Sequence, residues 1–136
     1  MMTMSEASAR PRVLLVDDND VILARASMLL SPTCEIVGTA KDGRAALRAA
    51  EDLQPDVIVL DISMPELTGF EVAAELREAG SKAAVVFLTV HADEDFVVAA
   101  RAVGGIGYVI KPRLTSDLTH AVAEARAGRS FVSKRR

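Results

Sequence analysis

Short apolar runs alternate with longer amphipathic stretches along this chain. Each run has three to five residues, is rich in Val, Ile and Leu, and is mostly continuous rather than alternating with polar residues. A continuous β-branched run is typical of a strand whose two faces are both covered. The five predicted strands are Val13–Val16, Glu35–Val37, Val57–Leu60, Ala84–Leu88 and Tyr108–Ile110.

Between the runs, apolar residues recur at the three- and four-residue spacing of a helix. Thr68 is expected to cap the third helix and Thr115 or Ser116 the fifth, while Gly80 and Gly128 follow the ends of these helices. Strands that alternate with helices predict an α/β fold with a parallel sheet, right-handed crossovers and helices on both faces. The predicted helices lie around residues 21–29, 45–50, 70–76, 96–103 and 118–125.

The composition indicates one folded domain. The chain has 136 residues, of which 50% are hydrophobic and 26% charged, so it can bury a core without disulfides and is not a disordered segment. No apolar run reaches the roughly 18 residues of a membrane span, and the first ten residues lack the apolar stretch of a secretory signal. The single cysteine, Cys34, is expected in the core, and we expect a cytoplasmic location without membrane binding.

Charge and aromatic content argue against a nucleic-acid partner. The net charge is −3, only 4% of residues are aromatic and there is no Trp, so sequence-specific DNA binding by this chain alone is not expected. Basic residues gather only near the C-terminus. We predict a flexible lead-in over residues 1–11, the domain over residues 12–130, and a basic tail or linker start over residues 131–136, with fraying expected from Arg126 to Arg136.

Chemically distinctive side chains follow four of the five predicted strands. Asp17 and Asp18 come after the first strand, Asp61 after the third, Thr89 after the fourth and Lys111 after the fifth. Ligands of open parallel sheets bind beyond the carboxyl ends of the strands, so these side chains are expected at one edge. Three carboxylates packed together need a proton or a cation between them.

An all-oxygen ligand set favours a hard ion, of which Mg²⁺ is the abundant choice. Carboxylates, Mg²⁺, the Lys111 ammonium and the Thr89 hydroxyl together suit the positioning of a phosphoryl group. The chain has no phosphate-cradling loop of the GxxxxGK[ST] kind, so no bound nucleotide is expected. The phosphoryl group would instead be held covalently or transiently, and a central Asp is the candidate nucleophile.

Plainer interpretations compete with this one. Asp17 and Asp18 could cap the first helix, and Asp20 is interpreted as a cap or a first-turn acid. His91 is expected in an exposed loop beside the site and His120 on a helix face, and neither has the spacing of a metal ligand. The glycines between residues 104 and 107 precede a strand, which indicates a turn rather than a phosphate loop.

Residues 12–133 resemble the receiver domain of bacterial two-component response regulators, the CheY-like fold. The matching motifs are VLLVDD at 13–18, PDVIVLDISMPELTGFE at 55–71, VVFLTVH at 85–91 and GYVIKP at 107–112. The resemblance implies a doubly wound, flavodoxin-like (βα)5 sheet with strand order 2-1-3-4-5. The segment Thr89–His91 and the ending EARAGRSFVS look most like receivers of the LuxR-type regulators, which precede a helix-turn-helix domain.

The resemblance also implies a role for each site residue. Asp61 would be the phosphoacceptor, and Mg²⁺ would be held by Asp18, Asp61 and the backbone carbonyl of Ser63, with Asp17 contacting it through water. Thr89 and Lys111 would contact the phosphoryl group, and Thr89 with Tyr108 would form the switch pair. The Lys111–Pro112 peptide bond would be cis, and the bulk of Val90 would narrow access to the phosphoryl site.

Three functions are compatible with these residues. The first is a phosphorylation-dependent switch that takes its phosphoryl group from a sensor histidine kinase or a phosphotransfer protein. Such a protein assists its own phosphorylation and dephosphorylation without being an enzyme, and it can form a homodimer on activation. The second is a binding module that uses the fold without phosphorylation. The third is a Mg²⁺-dependent phosphohydrolase, for which Ser63 stands where a second carboxylate would serve as general acid.

Overall fold

The computed structural model describes residues 10–134, and within them the strands form one parallel sheet in the order β2-β1-β3-β4-β5-β6. The strands are β1 (Arg12–Val16), β2 (Glu35–Ala40), β3 (Val57–Asp61), β4 (Ala84–Thr89), β5 (Gly107–Ile110) and β6 (Phe131–Val132). The helices are α1 (Asp20–Leu30), α2 (Gly43–Leu53), α3 (Gly69–Glu78), α4 (Glu94–Ala102) and α5 (Leu114–Arg126). The predicted α/β fold and the order of the first five strands are confirmed.

The sheet separates two apolar cores. Along β1, Leu14 and Val16 face the core under α2, α3 and α4, whereas Val13 and Leu15 face the core under α1 and α5. All four side chains are buried, as expected for a strand covered on both faces. Cys34 is buried in the second core, as its position among apolar residues predicted.

Helix α3 begins and ends as the sequence predicted. Thr68 accepts a hydrogen bond from the Glu71 N–H, and the Glu71 carboxylate accepts one from the Thr68 N–H, which is a capping box. Gly80 follows the helix with a φ of 83°, a left-handed conformation that glycine adopts without strain. The capping box therefore fixes the start of α3, which follows β3 in the chain.

The entry into α5 differs from the prediction. A short 3-10 turn, Lys111–Arg113, runs directly into Leu114, and no side chain caps the helix, so neither Thr115 nor Ser116 has that role. The described residues contain no cis peptide bond, and the predicted cis bond between Lys111 and Pro112 is wrong. Pro112 lies in the first positions of this turn, where the φ fixed by its ring suits a helical start and its missing N–H is not needed.

The sheet also gains a strand that the sequence did not predict. Phe131 and Val132, assigned above to a tail or linker, form β6 and pair with β5 in parallel register. The fraying expected for this segment is therefore wrong up to Ser133, which is buried. Residues 1–9 of the predicted lead-in, and Arg135 and Arg136, lie outside the described range. No helix within residues 10–134 has the length and apolar character needed to cross a membrane.

Candidate functional site

Three carboxylates meet at the carboxyl edge of the sheet. Oxygen atoms of Asp17, Asp18 and Asp61 all lie within 4.8 Å of one another. Asp61 is the last residue of β3, and Asp17 directly follows its neighbour β1, so the pairing of these two strands brings the carboxylates together. Asp17 and Asp61 are each 1% exposed, whereas Asp18 is exposed.

The start of α1 decides between the two interpretations of the acidic pair. Asn19 is the N-cap, and its side chain accepts hydrogen bonds from the N–H groups of Val21 and Ile22. Asp20 is a first-turn acid and forms an exposed ion pair of 3.0 Å with Lys41. Neither Asp17 nor Asp18 caps the helix, so helix capping does not explain why their carboxylates lie in the cluster.

Lys111 contributes a positive charge to the same edge. Its Nζ lies 3.0 Å from Oδ2 of Asp17 and 3.4 Å from Oδ1 of Asp61, and its side chain is only 18% exposed. Burial favours the neutral amine, but the hydrogen bonds to and charges of Asp17 and Asp61 outweigh it, so the pKa of Lys111 lies above its ordinary value. Lys111 is therefore a fixed cation in this cluster.

The carboxyl group of Asp61 is poised between its two protonation states. Burial, followed by the charge of Asp17, raises its pKa to about 6, although Lys111 and the Ser63 N–H act in the opposite direction. One ammonium group thus compensates incompletely for the buried acids. A further cation bound by these carboxylate oxygens would compensate the remaining negative charge, and oxygen atoms are the ligands that Mg²⁺ prefers.

Two backbone features fix the position of Asp61. Its Oδ1 accepts a hydrogen bond of 3.2 Å from the Ser63 N–H. Gly69 donates its N–H to the Ile62 carbonyl at 2.8 Å, and a Cβ added at Gly69 would collide with the carbonyl oxygen of Asp61. The start of α3 can pack this closely against the end of β3 only because residue 69 has no side chain.

The predicted switch pair lies next to the cluster. Thr89 is buried at the end of β4, and its hydroxyl accepts a hydrogen bond of 3.1 Å from the His91 N–H. The Tyr108 ring is also buried, with 2% of its surface exposed, and its hydroxyl donates a hydrogen bond of 3.0 Å to the His91 carbonyl. The ring therefore already occupies the inward position.

The remaining predictions have mixed outcomes. Val90 is 64% exposed beside Thr89. His91 is only partly exposed, contrary to the prediction, because its ring stacks on Phe96 with centroids 4.3 Å apart. His120 lies exposed on α5, as predicted, where it faces Glu124 at 3.7 Å.

Sequence reasoning missed two groups. The backbone carbonyl of His91 carries no signal in the sequence, since every residue has one. The second is a buried pair, Asp117 and Ser133, whose hydrogen bond of 2.7 Å joins α5 to the segment after it. The presence of a lone Asp in a helix and a Ser in a basic tail gave no reason to place them together.

The family model described as "Response regulator receiver domain" matches residues 13–123. Among curated proteins, the nitrate/nitrite response regulator protein NarL of Escherichia coli K12 is 35% identical over 124 residues, which are 90% of this chain and 57% of that protein. The transcriptional regulatory protein PdtaR of Mycobacterium tuberculosis is 36% identical, over 88% of this chain and 58% of its own length. The chain thus spans less than two thirds of the length of these relatives.

Solved structures agree with the sequence comparison. The signal receiver domain of the putative response regulator NarL from Mycobacterium tuberculosis superimposes with a TM-score of 0.84 at 30% identity, covering 88% of this chain and 98% of that one. A LuxR-family response regulator from Aurantimonas gives 0.85 at 28% identity, covering 90% and 89%. The fold is thus the CheY-like one, with β6 beyond the five predicted strands. The chain belongs to the response regulator receiver domain family.

Proposed function

We propose that this domain is a phosphorylation-dependent switch in which Asp61 accepts a phosphoryl group. The observation that carries the proposal is the buried Asp61 carboxylate with Lys111 and Asp17 beside it. A carboxylate placed among a fixed cation and further oxygen ligands can receive a dianionic group that would otherwise be repelled. Oδ1 of Asp61 faces Lys111 and accepts the Ser63 N–H, so Oδ2 is the proposed nucleophilic atom.

Mg²⁺ is the proposed cofactor. Asp18 and Asp61 would bind it directly together with the Ser63 carbonyl, and Asp17 would contact it through water. When bound, the ion neutralises negative charge on the incoming phosphoryl oxygens and lowers the pKa of Asp61. Asp61 must lose its proton before it binds the metal or attacks phosphorus, so both steps require the ionised carboxylate.

The transfer itself exchanges one bond to phosphorus for another. The Asp61 carboxylate oxygen attacks the phosphorus of a phosphohistidine, the P–O bond forms, the P–N bond breaks, and the imidazole leaves with the electron pair. Lys111 holds one phosphoryl oxygen by charge, and the Thr89 hydroxyl donates a hydrogen bond to another. The donor would be a sensor histidine kinase or a phosphotransfer protein. The chain assists its own phosphorylation and dephosphorylation and is not otherwise an enzyme.

The switch would be the pair Thr89 and Tyr108. A Thr89 hydroxyl that donates to a phosphoryl oxygen moves towards Asp61, which leaves room for the Tyr108 ring beneath the β4–α4 loop. The inward ring and its bond to the His91 carbonyl correspond to the active end of this motion. An outward ring would be the other end, and the bound phosphoryl group would shift the balance between them.

The output would be a contact with protein. We propose that it takes place in the cytoplasm and can include a homodimer, formed through the α4–β5–α5 face or through α1 and α5. The net charge of −3 gives little attraction to phosphates, so this chain alone would not select a DNA sequence. A LuxR-type output domain, where one follows, would supply that function.

Modification of Asp61 tests the proposal directly. Wild-type protein incubated with acetyl phosphate should gain one phosphoryl mass in Mg²⁺ and none in excess chelator, and an Asp61→Asn variant should gain none. An Asp18→Ala variant should need more Mg²⁺ than an Asp17→Ala variant. Equal modification of the wild type and of Asp61→Asn would refute the assignment. A folded wild type that takes up neither acetyl phosphate nor beryllofluoride would instead be a binding module that acts without phosphorylation.

A further inference from the structure

A short segment after α5 closes the open edge of β5. Phe131 pairs with Gly107 and Val132 with Tyr108, and the Ser133 N–H donates a hydrogen bond of 2.8 Å to the Tyr108 carbonyl. Phe131 packs against the core of α1 and α5, while Val132 packs against the core of α2, α3 and α4. The segment Phe131–Ser133, called here the C-terminal strap, therefore contacts both cores at once.

The end of the C-terminal strap is held by a buried polar network. Ser133 is 2% exposed, and its hydroxyl donates to Oδ2 of Asp117 at 2.7 Å while accepting the Ile110 N–H at 3.2 Å. Asp117 also accepts hydrogen bonds from Nε of Arg113 at 2.9 Å and from the Ser116 hydroxyl at 3.1 Å. Charge-assisted bonds of this kind are among the stronger ones in proteins, so the strap is seated at a defined place.

The C-terminal strap is bonded to the strand that serves the phosphoryl site. Ile110, whose N–H bonds to Ser133, directly precedes Lys111, whose ammonium contacts Asp17 and Asp61. Tyr108, whose carbonyl accepts the Ser133 N–H, carries the proposed switch ring. Ser133 of the strap is thus hydrogen-bonded to two residues of β5, Tyr108 and Ile110, that connect this strand with the site.

The side chains make the same connection. Tyr108 and Val132 are register partners on adjacent strands and pack into the same core, and both residues line one small cavity with Val97 and Ala100 of α4. The ring is buried while the strap is seated, so the two conditions occur together in this structure. A ring that left its pocket would empty space beside Val132 and remove part of the packing that holds the strap.

We propose that the C-terminal strap is a latch whose seating favours the inward position of Tyr108, and hence phosphorylation of Asp61. This inference rests on the proposed function, because it assigns the strap to the same two-state switch. Linkage makes the effect reciprocal: a phosphoryl group on Asp61 tightens the strap, and the seated strap raises the affinity of the site for a phosphoryl analogue. The seated strap also fixes the point at which Lys134 leaves the sheet.

Hydrogen exchange on the wild-type chain tests the latch. The Ser133 amide should exchange at least about fivefold more slowly with Mg²⁺ and beryllofluoride than with Mg²⁺ alone, the lower end of typical coupling between two sites. Shifts of the Ser63 and Thr89 amides report independently whether the analogue has bound. This measurement needs no variant, so it stands even where a substitution impairs folding.

Affinity measurements provide the reciprocal test. Ser133→Ala and Asp117→Asn should each bind beryllofluoride about fivefold more weakly than the wild type. Ser130→Ala, at an exposed serine three residues before Ser133, is the matched control and should bind as the wild type does. Titrations can be followed by NMR, since the chain has no Trp for fluorescence.

The outcomes separate this inference from the function on which it rests. A wild type whose Ser63 and Thr89 amides do not respond to the analogue contradicts the proposed function and the latch together. A wild type that binds the analogue while the Ser133 amide exchanges at an unchanged or higher rate contradicts the latch alone. Unweakened binding by a folded Ser133→Ala variant has the same meaning.

Discussion

Nζ of Lys111 lies 3.0 Å from Oδ2 of Asp17, and both side chains are largely withdrawn from water. The same ammonium is 3.4 Å from Asp61, so one cation is shared by two buried acids. Removing one partner of a buried ion pair costs far more than the pair contributes, because the remaining charge is left without compensation. The stability of the apo protein and the proposed binding of a phosphoryl group therefore depend on the same side chain.

Replacing Lys111 by Met should lower the free energy of unfolding by about 3 kcal/mol without Mg²⁺, and this loss should shrink when Mg²⁺ is added. In the presence of Mg²⁺, the variant should also lose the binding of beryllofluoride. Urea unfolding followed by circular dichroism measures the first effect. Lys41→Met is the matched control: its ion pair with Asp20 is exposed, so a change under about 1 kcal/mol is expected. Equal losses for the two variants would mean that the buried contacts of Lys111 stabilise the fold no more than an exposed ion pair does.

The raised pKa of Asp61 predicts how stability depends on pH. The folded state holds the proton up to a pH of about 6, whereas the unfolded chain releases it near 3.8. Between these values the folded state binds more protons, so this group makes the apo protein less stable as the pH rises, by roughly 2–3 kcal/mol over the window. Asp61→Asn lacks this effect.

The test compares unfolding of wild type and Asp61→Asn without Mg²⁺ at pH 4, 5 and 7.5. The variant should be more stable at pH 7.5, and its advantage should decline through pH 5 and vanish near pH 4. Saturating Mg²⁺ should reduce the advantage at pH 7.5, because the ion compensates the charge. A difference that does not change with pH would contradict the raised pKa.

The sequence predicted most of the sheet because burial on both faces leaves a visible pattern. The apolar runs located all five main strands. The prediction for β2 ended too early, at Val37, because Gly38 and Thr39 interrupt the apolar run, whereas the strand continues to Ala40. Strand β6 was missed because two apolar residues are too short a signal. The bond that holds the end of this segment joins Ser133 and Asp117, two residues that are 16 positions apart and gave no pattern.

The candidate site was predictable for a different reason. Parallel strands end at one edge, so the order of strands alone brings Asp17, Asp61, Thr89 and Lys111 together. The geometry of the backbone was not predictable in the same way. The trans bond before Pro112 and the His91 carbonyl that accepts the Tyr108 hydroxyl both depend on how particular loops pack.

Gly69 and Gly80 stand at the two ends of α3 and should respond differently to Ala. A Cβ at Gly69 would collide with backbone atoms of Asp61 and Ile62, which have no freedom to move aside. Gly69→Ala should therefore cost roughly 3 kcal/mol, at the upper end of overpacking, and should weaken beryllofluoride binding by displacing Asp61. Gly80 has a φ of 83°, and a Cβ added there would meet no surrounding residue within 4 Å, so Gly80→Ala should cost only the strain of this backbone conformation, about 1–2 kcal/mol.

Thermal unfolding and an analogue titration on both variants check this prediction. The Gly80→Ala variant should bind beryllofluoride with wild-type affinity, since its strain is local and distant from Asp61. Wild-type affinity in a folded Gly69→Ala variant would show that the close approach of α3 does not position Asp61 for the analogue.

Asp117 should stabilise the fold only while it is ionised. Burial raises its pKa, but the hydrogen bonds from Ser133, Arg113 and Ser116 outweigh burial and hold the pKa below its ordinary value. The folded state therefore binds fewer protons than the unfolded chain just below pH 4, and the stabilisation present above that pH is lost as the pH falls through the folded pKa. Asp117→Asn should lower the free energy of unfolding by about 2 kcal/mol at pH 7, the usual contribution of hydrogen bonds to a charged group, and by progressively less below pH 4. Urea unfolding at pH 7 and pH 3 measures both values.

Glu124→Gln is the control, because Glu124 pairs with Arg129 at the surface, where water screens the charges. The unfolding midpoint of this variant should differ little from that of the wild type at either pH. A deficit of Asp117→Asn that stays the same at pH 3 would mean that shape rather than charge holds the network together.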